Sequence, residues 1–414
     1  MIHMAKPQMG AEEKQAVMEV LDSGIIAQGP RVKAFEEGFA EMCGVKHAIA
    51  TSSGTTALHL AMLAHGIGEG DEVITSAFTF IASANSVLFT GAKPVFVDID
   101  PRTFNMDPAK IEAAITKKTK AILPVHLYGL SCDMDPIMQI AEKHGLTVIE
   151  DACQSHGAVY KGKKVGSMGT GTFSLYPTKN MTSAEGGMIT TNDATIDELS
   201  RVLRQHGMRV RYYHDMLGYN FRMTDIHAAI GLAQLKKLEK FNAQRHANAE
   251  FLSANLKGVR TPFVPEGQTH VFHQYTIRVP NGKRDALRTY LNDNGVGSEV
   301  YYPVPIHKQN FYVKDLGYDQ SLPETEFATT EVLSLPVHPA LSPSDLETIV
   351  STVNISWRKI HESRSHRRRH DGQAPCPRVQ RTSRSGSRCN FGFRSDPRRF
   401  DRGKVWDSRL HRSS

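Results

Sequence analysis

The sequence predicts an α/β protein: a three-layer αβα assembly around a mostly parallel sheet, followed by a smaller C-terminal α+β domain. Two observations carry this. Between residues 47 and 149, short apolar strand-like runs alternate with helical stretches, the signature of a parallel sheet covered on both faces. Beyond about residue 243 the order becomes strand, helix, strand, with a closing helix. The expected division is therefore 1–242 for the large domain and 243–355 for the small one, with 356–414 as an appended tail.

The elements follow in order. Residues 11–22 and 31–42 have helical spacing and are separated by Gly29-Pro30, a helix stop and restart. Strand-type runs are expected at 47–50, 72–75, 94–97, 121–123 and 147–149, and helices at 56–65, 81–89, 108–115 and 134–144. Across 166–191 the pattern changes to β-like segments (172–175 and 188–191) with glycines between them. A helix at 224–242 closes the large domain. Strand 272–279, helix 284–292, strand 298–301 and helix 342–353 make up the small one.

Charge is unevenly placed. Of 50 Lys and Arg and 43 Asp and Glu, 17 basic but only 5 acidic residues lie in 356–414. The body is thus mildly acidic and gives no electrostatic case for nucleic-acid binding. The tail, with Ser365-His-Arg-Arg-Arg-His and Arg381-Thr-Ser-Arg-Ser-Gly-Ser-Arg, has no period, and its composition predicts disorder. It reads either as a basic arm or as sequence translated in an unintended frame, and its patternless Arg, Ser, Cys and Trp favour the second. Cys43, Cys132, Cys153, Cys376 and Cys389 form no Cys-x-x-Cys pair, so reduced thiols are expected. No run spans a bilayer, no secretory core opens the chain, and the expected location is the cytoplasm.

The chemistry-bearing residues cluster between strands and helix starts. Thr51-Ser-Ser-Gly54-Thr55-Thr leaves a strand and opens a helix; such a turn binds phosphate or is simply a capped αβ connection. Gly166-Ser-Met-Gly169-Thr-Gly171 lacks dinucleotide spacing and opens no helix, so it reads as a loop and bend. Asp151 ends an apolar strand, where open α/β sheets bind ligands. A protonated ring nitrogen would pair with it, though a helix cap or a salt bridge also explains an isolated carboxylate. Gln154 follows three residues on. Lys179, in Ser174-Leu-Tyr-Pro-Thr-Lys-Asn, sits among aromatic, proline and small polar residues. That setting suits a desolvated amine able to form an imine, and the Ser174 hydroxyl lies within reach of a phosphate.

With these segments in view, the chain resembles the DegT/DnrJ/EryC1/StrS sugar aminotransferases, fold type I enzymes with an aspartate-aminotransferase-like architecture. The likeness runs in order from about residue 5 to 355. It is carried by Gly29-Pro-Arg-Val-Lys-Ala-Phe-Glu, Ser53-Gly-Thr-Thr-Ala-Leu, Thr79-Phe-Ile-Ala-Ser-Ala-Asn and Pro124-Val-His-Leu-Tyr-Gly. Glu150-Asp-Ala-Cys-Gln-Ser-His-Gly-Ala, Tyr176-Pro-Thr-Lys-Asn, Glu185-Gly-Gly-Met and Gly218-Tyr-Asn-Phe-Arg-Met-Thr-Asp complete it. The tail has no counterpart.

The resemblance implies pyridoxal 5'-phosphate as cofactor, passing through pyridoxamine 5'-phosphate. It implies that Lys179 carries the cofactor and moves the proton, that Asp151 pairs with the ring nitrogen and that Gln154 touches the ring hydroxyl. Phe80 would stack on the ring, while Gly54, Thr55 and Ser174 would hold the phosphate. Asn220 would reach the cofactor phosphate of a neighbouring subunit, making the active unit a homodimer. The implied substrates are glutamate and a nucleoside-diphosphate keto-sugar, with no metal, nucleic-acid or membrane partner. Family members with histidine in place of the lysine are dehydratases, and Lys179 argues against that activity. On the substrate side, Tyr302 and His307 lie in a segment similar to enzymes acting at sugar carbon 3, whereas Arg222 lies in one closer to enzymes acting at carbon 4. A non-sugar cyclic ketone as substrate and a catalytically silent regulator are the alternatives.

Overall fold

The computed structural model describes the backbone of residues 1–370 and the side chains of 1–357; most of the tail expected at 356–414 lies outside the described residues. Met1–Arg364 form one compact unit. Helices α1 (Ala11–Ser23) and α2 (Pro30–Cys43) open it, each ended by a glycine at positive φ, a backbone region that costs a side chain least when there is none. There follow β1 (His47–Thr51), α3 (Gly54–Ala64), β2 (Glu72–Ser76), α4 (Ala82–Phe89), β3 (Lys93–Val97), β4 (Thr119–Leu123), α5 (Met134–His144) and β5 (Thr147–Asp151). The hairpin β6 (Val159–Tyr160) and β7 (Lys163–Lys164) precedes β8 (Thr170–Ser174), β9 (Gly187–Thr191) and α6 (Ala194–Arg204).

Seven of these strands make one sheet in the order β1-β9-β8-β5-β4-β2-β3. From β3 to β8 the neighbours are parallel; β9 pairs antiparallel with both β8 and β1. Ile49, Ile74, Ile122, Ile149 and Ile189 are fully buried, as expected where helices cover both faces. The crossovers place the carboxyl end of β5 and the N-termini of α3 and α4 around one hollow.

The remaining elements are the short strands β10 (Met208–Val210) and β11 (Tyr213–His214), helices α7 (Asp225–Leu235) and α8 (Leu238–Asn255), and strands β12 (Gln268–Thr269) and β13 (Tyr275–Arg278). Then come α9 (Arg284–Asp293), α10 (Asn310–Lys314), α11 (Pro323–Glu331), β14 (Val332–Leu335) and α12 (Pro343–His370). A two-stranded antiparallel sheet, β13–β14, packs Tyr275, Ile277, Leu333 and Leu335 against Leu287, Leu291 and Ile349. Among the described residues no helix is long and apolar enough to cross a membrane.

Three local expectations differ from what forms. The helix expected at 108–115 is two single 3₁₀ turns, Pro108–Lys110 and Glu112–Ala114. Only Ile111 is fully buried there, too little apolar face to hold an α-helix. The single helix expected at 224–242 breaks at Lys236 and Lys237. The Lys237 ammonium is held 2.8 Å from Glu13 Oε1, and α8 then runs on to Asn255 through the 242/243 boundary. The strand expected at 298–301 shrinks to one bridge, Glu299 with Ser334, because Tyr302 turns to φ 60° and Pro303 offers no N–H to a ladder.

Candidate active site

A cavity of about 390 Å³ opens at the carboxyl end of β5 and is lined by Gly54, Thr55, Phe80, Asp151, Gln154, Ser174, Lys179 and Tyr302. Seven of these are the cofactor residues the sequence singled out, and Tyr302 is one of its substrate-side residues. The two other substrate-side residues are not brought here. His307 is fully buried, with Nε2 3.1 Å from Glu326 Oε1 and its ring near Phe96. Arg222 is half-buried away from the cavity wall. Asn220 is exposed and bridged to Gln205, also outside this protomer's cavity.

The phosphate end is built by α3. Ser53 caps the helix, its Oγ accepting from Thr56 N at 3.1 Å. The N–H groups of Gly54 and Thr55 precede the first intrahelical bond and stand at the cavity wall beside Ser174. The approach is so close that a Cβ on Gly54 would lie 2.6 Å from Ser174 Cβ. Only glycine leaves room, and the helix start supplies donors and positive potential for an anion.

At the opposite end, Asp151 is 4 % exposed. Ser83 Oγ donates to its Oδ2 at 2.6 Å, and Cys153 N donates to Oδ1 at 3.2 Å. Among the described residues no lysine, arginine or histidine pairs with it. A buried carboxylate with only neutral donors favours a cationic partner in the cavity. Gln154 is pinned by Tyr128 N, which donates to Oε1 at 2.8 Å, while its Nε2 donates to Tyr302 Oη at 2.9 Å. Tyr302 in turn stacks on Tyr128 with ring centroids 6.1 Å apart.

Lys179 lies in the excursion from β8 to β9, which folds back on itself. Thr182 Oγ1 donates to Leu175 O at 2.7 Å, and Asn180 Nδ2 donates to Val271 O at 2.8 Å. Desolvation lowers the lysine's pKa, and the neighbouring Cys153 and Asp151 side chains offset this only in part. Lowering favours the free amine that carbonyl chemistry requires. Phe80, 59 % exposed on the cavity rim, presents an uncovered aromatic face. Taken together, an anion cradle, a lone buried carboxylate, a desolvated amine and an aromatic face fit pyridoxal phosphate. No cluster of metal-ligating side chains occurs among the described residues.

Several contributors escaped the sequence reading. Ser83 lies four residues after Thr79, one helical turn, which is a usable signal in retrospect. His273 also lines the cavity; it is nearly buried, and burial with the nearby Lys179 holds its pKa well below the ordinary histidine value. No motif marked it. The Gly166–Gly169 stretch is the loop that was expected, with an added role. The N–H groups of Gly166, Met168 and Gly169 donate to the fully buried Glu150 carboxylate at 2.9, 2.9 and 2.7 Å. It is an anion nest for the chain's own side chain.

Fold and cavity define a fold type I pyridoxal-phosphate-dependent aminotransferase. The chain belongs to the DegT/DnrJ/EryC1/StrS aminotransferase family, whose model matches residues 7–354. It is 47% identical to a "Pleiotropic regulatory protein" of Geobacillus stearothermophilus over 84% of this chain and 94% of that one. It is 44% identical to the GDP-perosamine synthase of Caulobacter vibrioides, over 85% and 97%. Among solved structures, S. venezuelae DesV in complex with a ketimine intermediate superposes with a TM-score of 0.81 at 38% identity, covering 84% of this chain and 94% of that one.

Proposed function

We propose that this aminotransferase moves the amino group of glutamate to the keto group of a nucleoside-diphosphate keto-sugar, at carbon 3 or carbon 4. The product would be an amino sugar for a surface polysaccharide or a glycosylated metabolite. The observation that carries the reading is the convergence of Lys179, Asp151 and the Gly54 cradle in one cavity, in a chain similar to a nucleotide-sugar synthase.

Bound pyridoxal phosphate supplies the electron sink that makes an amino-acid α-proton removable. Lys179 Nζ would anchor the cofactor and, as a free amine, would take the α-proton and deliver it on the cofactor side rather than to the carbon it left. Asp151 would hold a proton on the ring nitrogen, the helix start of α3 with Ser174 would grip the phosphate, and Phe80 and Gln154 would orient the ring. Asn220 serves the neighbouring protomer. The exposed Val210, Tyr212, Tyr213 and Leu217 nearby suit a surface covered in a homodimer, to be checked by sedimentation. We assign the enzyme to the cytoplasm and residues 243–355 to a smaller lobe beside the cofactor domain.

The relative named as a regulator favours a second reading, a fold that kept its shape and lost catalysis. The full set of cofactor-side residues weighs against it. Adding pyridoxal phosphate should give a visible absorption band, and borohydride should then fix the cofactor's mass to the peptide bearing Lys179. Lys179→Ala should lose both. Absence of the band in the wild-type protein would leave the regulator reading standing. A panel of 3-keto and 4-keto nucleotide sugars with glutamate then separates the two regiochemistries, and cyclic non-sugar ketones complete the panel.

A further inference from the structure

Asp151 owes its orientation to residues not yet assigned a part in the reaction. Ser83 is 1 % exposed and Thr79 is 3 % exposed, and both line the cavity wall. Ser83 Oγ lies 2.6 Å from Asp151 Oδ2, and Thr79 Oγ1 lies 3.1 Å from Ser83 Oγ. An ionised carboxylate only accepts, so the Ser83 hydroxyl proton must point at Asp151. That leaves Ser83 as acceptor toward Thr79, and the order of donation is fixed as Thr79 to Ser83 to Asp151. Chains of this kind strengthen one another in a low-dielectric site.

We propose that Ser83, oriented by Thr79, is a positioning residue that fixes the Asp151 carboxylate in the orientation that keeps the cofactor's ring nitrogen protonated. The inference rests on the proposed pairing of Asp151 with that nitrogen. Two consequences follow from the geometry. The rotamer of Asp151 is locked, since Oδ2 is held by Ser83 and Oδ1 by the Cys153 N–H. A carboxylate held in one orientation also keeps its charge facing the ring nitrogen, so the proton stays there and makes the ring a better electron sink. Ser83 sits in the first turn of α4 and its backbone N–H donates to Phe80 O at 3.2 Å. The hydroxyl therefore reaches Asp151 from a rigid helix carried by the same segment as Phe80.

The test is made on holoenzyme loaded with cofactor ¹⁵N-labelled at the ring nitrogen. In Ser83→Ala the nitrogen resonance should move toward the unprotonated position, and single-turnover rates of both half-reactions should fall roughly tenfold, the size expected for one bond to a charged group. Thr79→Val should shift the resonance in the same direction by less, and Ser83→Thr should restore it by returning the hydroxyl. An unchanged nitrogen resonance in well-folded Ser83→Ala would overturn the proposal, even if rates or thermal stability dropped, because a merely structural serine predicts that pattern. If the wild-type resonance itself shows no protonated nitrogen, the underlying Asp151 pairing fails instead, which keeps the two failures apart.

Discussion

Glu150 and Asp151 are consecutive carboxylates at the end of β5, and alternation along the strand sends them to different surroundings. Glu150 is closed off by its own chain: three loop N–H groups and His126 Nε2, 3.1 Å away, surround it. His126 Nδ1 accepts from Cys132 N at 3.0 Å, so its proton is on Nε2 and points at Glu150. Burial pushes the Glu150 carboxyl up, yet the His126 hydrogen bond and the loop N–H groups more than offset this and hold it below the usual range. Asp151 has two neutral donors and an open side. A carboxylate saturated from within is scaffold, whereas one left short of partners at a cavity floor is a binding group.

Removing charge from the open member should produce the largest effect. Asp151→Asn keeps the size and a hydrogen bond but cannot hold a cationic ring nitrogen. Single-turnover rates for glutamate and for the keto-sugar should fall together by about 10²–10³-fold, with the thermal midpoint nearly unchanged. A loss confined to one half-reaction would show that Asp151 serves one substrate and not the cofactor.

The closed member should behave the opposite way. Glu150→Ala strands the N–H groups of Gly166, Met168 and Gly169 in a buried site and should cost about 1–3 kcal/mol for each donor left unpaired, read in urea denaturation. Cofactor chemistry should survive in whatever fraction stays folded, read as kcat per bound cofactor. If Glu150→Ala kept its stability but lost turnover, the contrast between the two carboxylates would collapse.

A smaller effect is expected at the phosphate end. In Gly54→Ala the new methyl would meet Ser174 Cβ at 2.6 Å, so the α3 start must shift and spoil the cradle. Overpacking on this scale corresponds to roughly tenfold or more in cofactor affinity, measured by titrating pyridoxal phosphate into apoenzyme. Unaltered affinity would place the phosphate elsewhere.

Much of this was legible in the sequence because it depends on local rules. The α5 helix carries Asp133 before it and Gly145 after it, and its expected span is the one that forms. The Asp151 position follows from a short Val/Ile strand, and the Lys179 setting from its uncharged neighbours. What stayed hidden depends on residues distant in sequence. His273 enters the cavity because Val271 N and Gln274 N donate to Gly129 O and Tyr128 O at 2.9 and 3.1 Å, a junction no local pattern encodes. His307 stands outside this cavity for the same reason. Its segment resembled a substrate loop, but the ring is buried beside Phe96 with Nε2 3.1 Å from Glu326 Oε1.

Buried histidines extend the comparison to groups that must stay neutral rather than charged. His156 is fully buried against Phe39 and Phe173, with ring centroids 6.4 and 5.3 Å away. Burial, and secondarily the charge of Lys179, lowers its pKa from 6.5 to about 3; burial lowers that of His270 to about 3 as well. Between those values the unfolded chain binds protons that the folded chain excludes. Their contribution is therefore complete above pH 6.5 and is lost as pH falls toward 3, at about 1.4 kcal/mol per pH unit for each group. His156→Phe keeps an aromatic ring among aromatic neighbours and removes one titrating site. The slope of unfolding free energy against pH between about 6 and 4 should become shallower by that one-proton amount, while the Asp151-dependent rates at neutral pH stay close to wild type. An unchanged slope would mean that the His156 ring already carries its proton in the folded protein, and that the wall behind Lys179 is more polar than its neighbours indicate.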